Sequence, residues 1–314
     1  EMKAALEGTD EFSFPMVLIP FRLLRDLGRL CPYEHVRKTR PNDLIYLDST
    51  QAAETLKKEG KTVVFFSHQW SAWAEPDPTR AQYKLMIASV EQLNVDLETV
   101  LCWIDVLCVP QRHRQTQTLA INALPVYAFN SDHFIIVSPS LTHEDTCVTC
   151  DAASYRQRGW CRAETLSFFC KHGLGKMWLA DGKDGTSKLS EVKQEWVREG
   201  IRVFQGQFTC CHRQHEGMEL CDKERLVKPI LGLFGSAFEQ RVDRPDVFRL
   251  LNPALFPESF AFEQKLEGGK ILRQKRELFG DRVNLMKEFI EHSTTGATRR
   301  STPRSSFSRF ATAG

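Results

Sequence analysis

The chain has 314 residues, 42% hydrophobic and 26% charged, which is enough to bury a substantial core. Its formal net charge of +2 gives no global basic field and so no argument for nucleic acid as a partner. No apolar run reaches the roughly 20 residues of a membrane helix, since the longest, 14–24, is interrupted by Pro15, Pro20 and Arg22.

Residues 1–60 read as a leader. An irregular Phe/Leu/Pro segment comes first, then a basic stretch at 35–40, a possible edge strand at 43–48 and a short polar helix at 51–59. The chain opens on Glu1 without a charged leader ahead of an apolar core, as expected of a piece of a longer protein.

From residue 61 the pattern changes. Continuous apolar, β-branched and aromatic runs at 61–67, 99–105, 133–138 and 176–181 suit strands covered on both faces in a parallel sheet. Between them, helical spacing appears at 80–93 (Tyr83, Met86, Ile87, Val90), at 116–129 (Leu119, Ala123, Val126, Tyr127) and at 160–171, the last ending before Gly173 and Gly175. Strands alternating with helices predict right-handed crossovers and an α/β fold with a parallel sheet and helices on both faces. Ligands of such sheets bind beyond the carboxyl ends of the strands. That rim collects Ser67, His68, Trp70, Asp105 and Ser138.

Beyond a loop at 181–188, residues 183–291 read as a mostly helical extension with helices at 189–203 and 223–238. An amphipathic helix at 271–290, interrupted by Gly280, carries Leu272, Phe279, Val283, Met286 and Ile290 on one stripe. Residues 292–314 are Ser/Thr/Arg-rich without an acidic residue from Ser293 onward, which predicts a disordered basic tail; Arg299-Arg300-Ser301 has the form of a phosphorylation site, though a solvated tail is the plainer reading.

Of the ten cysteines, Cys102, Cys108, Cys161 and Cys170 sit in apolar segments, as free thiols do in a reducing, cytoplasmic compartment. Cys147 and Cys150 form a CxxC, and Cys210, Cys211, His212, His215 and Cys221 offer further donors for tetrahedral zinc. A second tight pair at standard spacing is absent, so no metal is assigned.

Three clusters carry chemistry. Phe66-Ser67-His68-Gln69-Trp70, followed by Trp73, places a hydroxyl, an imidazole and stacking surfaces at a strand end; the bland alternative is that Trp70 and Trp73 pack on the leader and His68 caps a helix. Trp103-Ile104-Asp105 delivers a carboxylate to the rim, where loop anchoring is the ordinary role. In Tyr155-Arg156-Gln157-Arg158-Gly159-Trp160-Cys161-Arg162-Ala163-Glu164, the four-residue spacing puts Trp160 and Glu164 on one helical face, an aromatic against a carboxylate, with Arg158 and Arg162 at hand as ionic partners.

In this order the clusters resemble the TIR superfamily, and particularly its heterokaryon-incompatibility (HET) branch. Trp103-Ile104-Asp105 with Cys108 and Gln111 is similar to that branch's W-I-D-x-x-C-x-x-Q segment. The 158–164 box is similar to both its R-x-W followed by Glu and the plant TIR W-C-x-x-E, and Phe65-Phe66-Ser67 to the opening TIR strand. The resemblance covers roughly 60–182. It implies a flavodoxin-like domain at 61–182 and, in active members, cleavage of the nicotinamide–ribose bond of NAD, with NAD as substrate and no further cofactor. Glu164 would then be catalytic, and Ser67, His68, Trp70, Trp73, Asp105, Trp160 and Arg162 would contact substrate. The partners implied are NAD or a related nucleotide and other TIR-like domains, through self-association; a non-catalytic homotypic signalling module is the alternative. The segment 106–115 is shorter and more polar than the assembly loop of many TIR domains, and 147–155 is an insertion before the Trp box.

Overall fold

The computed structural model describes residues 1–182 and 188–300, with 294–300 by backbone alone. In chain order the strands are β1 (Glu11–Pro20), β2 (Ile45–Ser49), β3 (Thr62–His68), β4 (Val100–Trp103), β5 (His133–Val137), β6 (Leu141–Thr142), β7 (Thr149–Cys150), β8 (Met177–Ala180), β9 (Leu189–Glu191), β10 (Ser259–Lys265) and β11 (Ile271–Glu277). Seven of them form one sheet in the order β2-β1-β4-β3-β5-β8-β9. The central four, β4-β3-β5-β8, are mutually parallel, and antiparallel strands flank them on both sides. The protein is thus α/β, with a mixed sheet that is parallel in its core.

The four apolar runs form these four strands, three of them covered on both faces and the fourth, β8, with Trp178 and Leu179 half-buried. Every residue of β4 and β5, and all of β3 after Thr62, is buried. Phe65 stands in register with Trp103 on one neighbour and Phe134 on the other. The three rings stack, with centroids 4.3 and 5.5 Å apart. Offset stacks of this kind add about 0.5–1.5 kcal/mol per pair to the area they bury.

The crossover segments are helical as the spacing predicts, at Ala81–Glu91, Arg114–Asn130 and Gly159–His172. Arg80 precedes the first of these in a left-handed conformation (φ 58°) and leaves its opening amides without a local cap. The Asp77 carboxylate supplies it, accepting from the amides of Gln82 (3.1 Å) and Tyr83 (2.7 Å). Gly159–His172 is buried almost all round, between β3, the helix Arg114–Asn130 and a third helix, Asp222–Glu239.

The flanks differ from the sequence reading. The edge strand expected at 43–48 is present as β2, at the edge of the sheet, but residues 11–20, expected to be an irregular part of a leader, form β1 beside it, so the sheet runs across position 60. β1 accommodates Pro15 at a register irregularity between Glu11 and Met16 and Pro20 as its last residue, positions where a ladder amide is not needed. The span 189–203 is a three-residue edge strand, β9, followed by the helix Gln194–Gly200.

The helix expected at 271–290 is instead two elements. Its first half is β11, paired residue for residue with β10 through a turn in which Gly268 and Gly269 have φ of 78° and 77°. Gly280 (φ 51°) separates it from the helix Arg282–Arg300, which runs past the point where a disordered tail was expected. Most of the 181–188 loop and the rest of the tail, including the Ser301 phosphorylation reading, lie outside the described residues. Among the described residues no helix is long and apolar enough to cross a membrane.

Candidate functional site

The carboxyl end of β3 is the centre of a buried polar network. In the parallel part of the sheet, β3 lies between the strand that follows it, β4, and the next one, β5, so the strand order reverses between β3 and β5. Crevices form at such reversals. Ser67 and His68 are the last residues of β3 and stand opposite Ile136 and Val137 of β5.

Ser67 Oγ donates to the Glu164 carboxylate and shares a 2.5 Å contact with the Tyr155 hydroxyl. All three side chains are buried: Ser67 is 1% exposed, Tyr155 1% and Glu164 8%. Burial is the largest influence on Glu164 and raises its pKa from 4.5 to about 8; the Ser67 hydrogen bond works against this rise and the Asp105 charge adds to it. The carboxyl group is therefore largely protonated at pH 7.

His68 is fixed from both ring nitrogens, with Nδ1 2.8 Å from Gln82 Oε1 and Nε2 2.9 Å from Asp105 Oδ1. Burial pushes the imidazole pKa down, but the Asp105 carboxylate and the Gln82 acceptor more than compensate and the net shift is upward. Asp105 shows the mirror image. Burial raises its pKa, and the His68 charge with hydrogen bonds from His68, the Trp70 indole (2.8 Å) and the Val106 amide brings it below the ordinary value. Asp105 opens a short helical turn, Asp105–Cys108, directly after β4. The loop beyond it is held from the presumed leader, where Glu34 accepts the amides of Gln111 and Arg112.

Three candidates do not join this network. The Trp160 indole donates to Asp222 (3.0 Å) and its ring meets Phe208 edge-on, so the expected stacking of Trp160 on Glu164 does not occur. Helical side chains lean toward the helix N-terminus, and Trp160, in the first turn, reaches the C-terminal extension while Glu164, one turn on, reaches β3. Arg162 donates to the carbonyls of Arg156 (2.5 Å) and Arg202 (2.9 Å), which ties down a loop instead of pairing with Glu164. Trp73 is 63% exposed, with its ring edge-on to His143.

Gln82 lies outside every cluster marked in the sequence, while Gln69 and Tyr155 lie within marked clusters but without an assigned role. Gln69 donates to Ser154 Oγ (2.8 Å) and to the Asp151 carbonyl (3.2 Å), fastening the short helix Ala152–Gln157 over the strand end. No spacing rule links positions 69, 82 and 155, and only their chemistry in an apolar neighbourhood could have pointed to their roles. Ser138, at the end of β5, is buried with a hydroxyl that has no hydrogen-bond partner. Among the described residues, surface cavities form away from Ser67 and Glu164, one of them lined by Glu34 and Arg112 beside the loop beyond Asp105.

The expected metal donors also separate. Cys147 is exposed, Cys150 lies in β7, and neither joins the group formed by Cys210, Cys211, His215 and Cys221. Comparison with protein-family models, curated proteins and solved structures finds no match for this chain.

Proposed function

We propose that this chain is a TIR-superfamily, HET-like domain with a flavodoxin-like core, and that it hydrolyses the nicotinamide–ribose bond of NAD in a cytoplasmic signalling or defence response. The observation that carries the reading is Glu164 against Ser67 at the carboxyl end of β3, beside the strand-order reversal. The parallel strands β4-β3-β5-β8 follow the flavodoxin order 2-1-3-4. Ten free cysteines suit a reducing compartment.

Loss of nicotinamide leaves a ribosyl cation, and a carboxylate beside it lowers that barrier. Glu164 is poised for such a role by environment. It is largely protonated at pH 7, and the positive pyridinium of a bound substrate would favour its ionised form. Ser67 then orients the carboxylate, while Trp70, anchored on Asp105, and exposed Trp73 offer ring surfaces for the bases. Water adds to ribose C1′ as nicotinamide departs, and a proton is released. Substrate entry requires the Gln69-fastened helix Ala152–Gln157 to lift.

The near-complete burial of Glu164 favours a second reading, a non-catalytic homotypic module in which this network holds the fold. Nicotinamide release by concentrated or artificially oligomerised protein separates the two. Turnover lost in Glu164→Ala supports the hydrolase. Self-association without turnover, or equal turnover in Glu164→Ala, refutes it.

A further inference from the structure

A second cluster, remote in sequence from the Glu164 network, carries a different chemistry. Cys210 and Cys211 lie in the helical turn Thr209–His212, His215 follows in a tight loop, and Cys221 caps the helix Asp222–Glu239. The Sγ atoms of Cys210 and Cys211 are 3.7 and 3.5 Å from that of Cys221, and the four donor atoms all lie within 4.8 Å of one another. These separations exceed any disulfide bond. They approach the sulfur–sulfur edge of a tetrahedron around zinc, about 3.8 Å for Zn–S bonds of about 2.3 Å.

His215 supplies an independent observation. Its Nδ1 lies 2.6 Å from the Glu263 carbonyl of β10, and a carbonyl can only accept, so Nδ1 carries the proton. Nε2 is then a bare lone pair. It is buried in a residue 2% exposed and has no hydrogen-bond partner. A ligating histidine with its other nitrogen donated to a backbone carbonyl has this arrangement. Gln214 and His215 both adopt left-handed backbone conformations, φ 52° and 49°, to bring the ring there. The sulfurs are also prepared for negative charge, since the amides of Asp222 and Lys223 point at Cys210 Sγ (3.5 Å) and Cys221 Sγ (3.4 Å).

We propose that Cys210, Cys211, His215 and Cys221 form a structural zinc site. Three soft thiolates and one imidazole in a closed tetrahedron, without an open position for water, select zinc for a structural and not a catalytic task. The ion joins the 209–215 turn, the start of the helix Asp222–Glu239 and, through Glu263, the β10–β11 hairpin. Its reach extends further, because Asp222, next to Cys221, accepts the Trp160 indole at the beginning of the helix that carries Glu164. The site stands whether or not that helix performs chemistry.

The test uses the full chain purified under reducing conditions without added chelator. Elemental analysis should find one zinc per chain, released stoichiometrically when a mercurial reagent titrates the thiols and read with a chromogenic chelator. Replacement by cobalt should produce thiolate-to-cobalt charge-transfer bands. Zinc content should fall to near zero in Cys221→Ala and His215→Ala and stay at one in a Cys147→Ala/Cys150→Ala double variant. If the single variants do not fold, metal content and cobalt bands of the unaltered chain still decide. Protein without zinc that develops no cobalt–thiolate bands, iron in place of zinc, or a Cys210–Cys221 or Cys211–Cys221 disulfide in a non-reduced digest would each overturn the proposal.

Discussion

Replacing Glu164 by Gln keeps the size of the side chain and its capacity to bond Ser67 and removes its titration. In the folded protein the Glu164 carboxyl binds its proton until about pH 8, whereas an unfolded glutamate loses it near 4.5. The folded-state pKa is the higher one, so this group's contribution to stability is fully present below 4.5 and is lost as pH rises toward 8. Each pH unit in that interval removes about 1.4 kcal/mol. Across the interval the loss comes to roughly 3–5 kcal/mol, a large part of the 5–15 kcal/mol by which a typical domain is stable. The Gln variant does not suffer it.

Urea unfolding of wild type and Glu164→Gln at intervals from pH 5 to 9 measures the difference directly. Contributions from His68 and the other titrating groups are common to both curves and cancel to first order. The two proteins should be close in stability at pH 5, and the variant should be the more stable by roughly 3–5 kcal/mol at pH 9, with most of the divergence between 6 and 8. Under the hydrolase reading the stabilised variant is also inactive, as expected of a carboxylate kept in place against stability. Parallel curves with no pH-dependent gap would refute the burial argument, and with it the claim that this carboxyl is largely protonated at pH 7.

Asp105→Asn should destabilise by about 1–3 kcal/mol, because His68 and Trp70 lose a charged acceptor. His68 has a raised pKa, so its share is present below 6.5 and fades as pH rises; Asp105 has a lowered one, so its share is present above 3.8 and fades as pH falls. The thermal penalty of the substitution should therefore be larger at pH 5.5 than at pH 8.5, and an equal or reversed penalty would show that the pair is not an ion pair. Gly159→Ala should cost about 1–3 kcal/mol, since an added Cβ would fall 2.1 Å from the Phe208 ring. The same variant should hasten proteolytic cleavage within 201–221, and an unchanged melting temperature and digestion pattern would contradict that contact.

The parallel core was legible because strands buried on both faces must be apolar without interruption, and 61–67, 99–105, 133–138 and 176–181 are. β1 was hidden by Pro15 and Pro20, which mark an irregular segment in a sequence and are tolerated here by a register shift and a strand terminus. The β10–β11 hairpin was hidden for a different reason. It is a two-stranded ribbon in which Phe262 alone is deeply buried, so it offers no apolar run, and Leu272 happens to extend the stripe of the helix that follows. Within the site, Ser67, His68 and Asp105 were recoverable because strand ends are fixed by the strands. Tyr155 and Gln82 were not, because their partners are chosen by how separate elements dock. The four-residue interval from Trp160 to Glu164 predicted a shared face but not a shared neighbour.

That separation of Trp160 from Glu164 links the two halves of the chain. The helix Gly159–His172 begins at a junction where Gly159 donates to the Gln207 carbonyl, Gln207 donates to that of Gln157, and Phe208 fills the space a side chain at 159 would need. One turn later the same helix presents Glu164 to Ser67. The position of the carboxylate is thus set at one end by β3 and at the other by residues 207–222, the stretch that holds the cysteine–histidine cluster. An isolated 61–182 fragment would keep the four parallel strands, with Ser67 on β3, but lose β1, β2 and β9 of the sheet and the clamp at the start of the Glu164 helix. The extension therefore belongs with the proposed site.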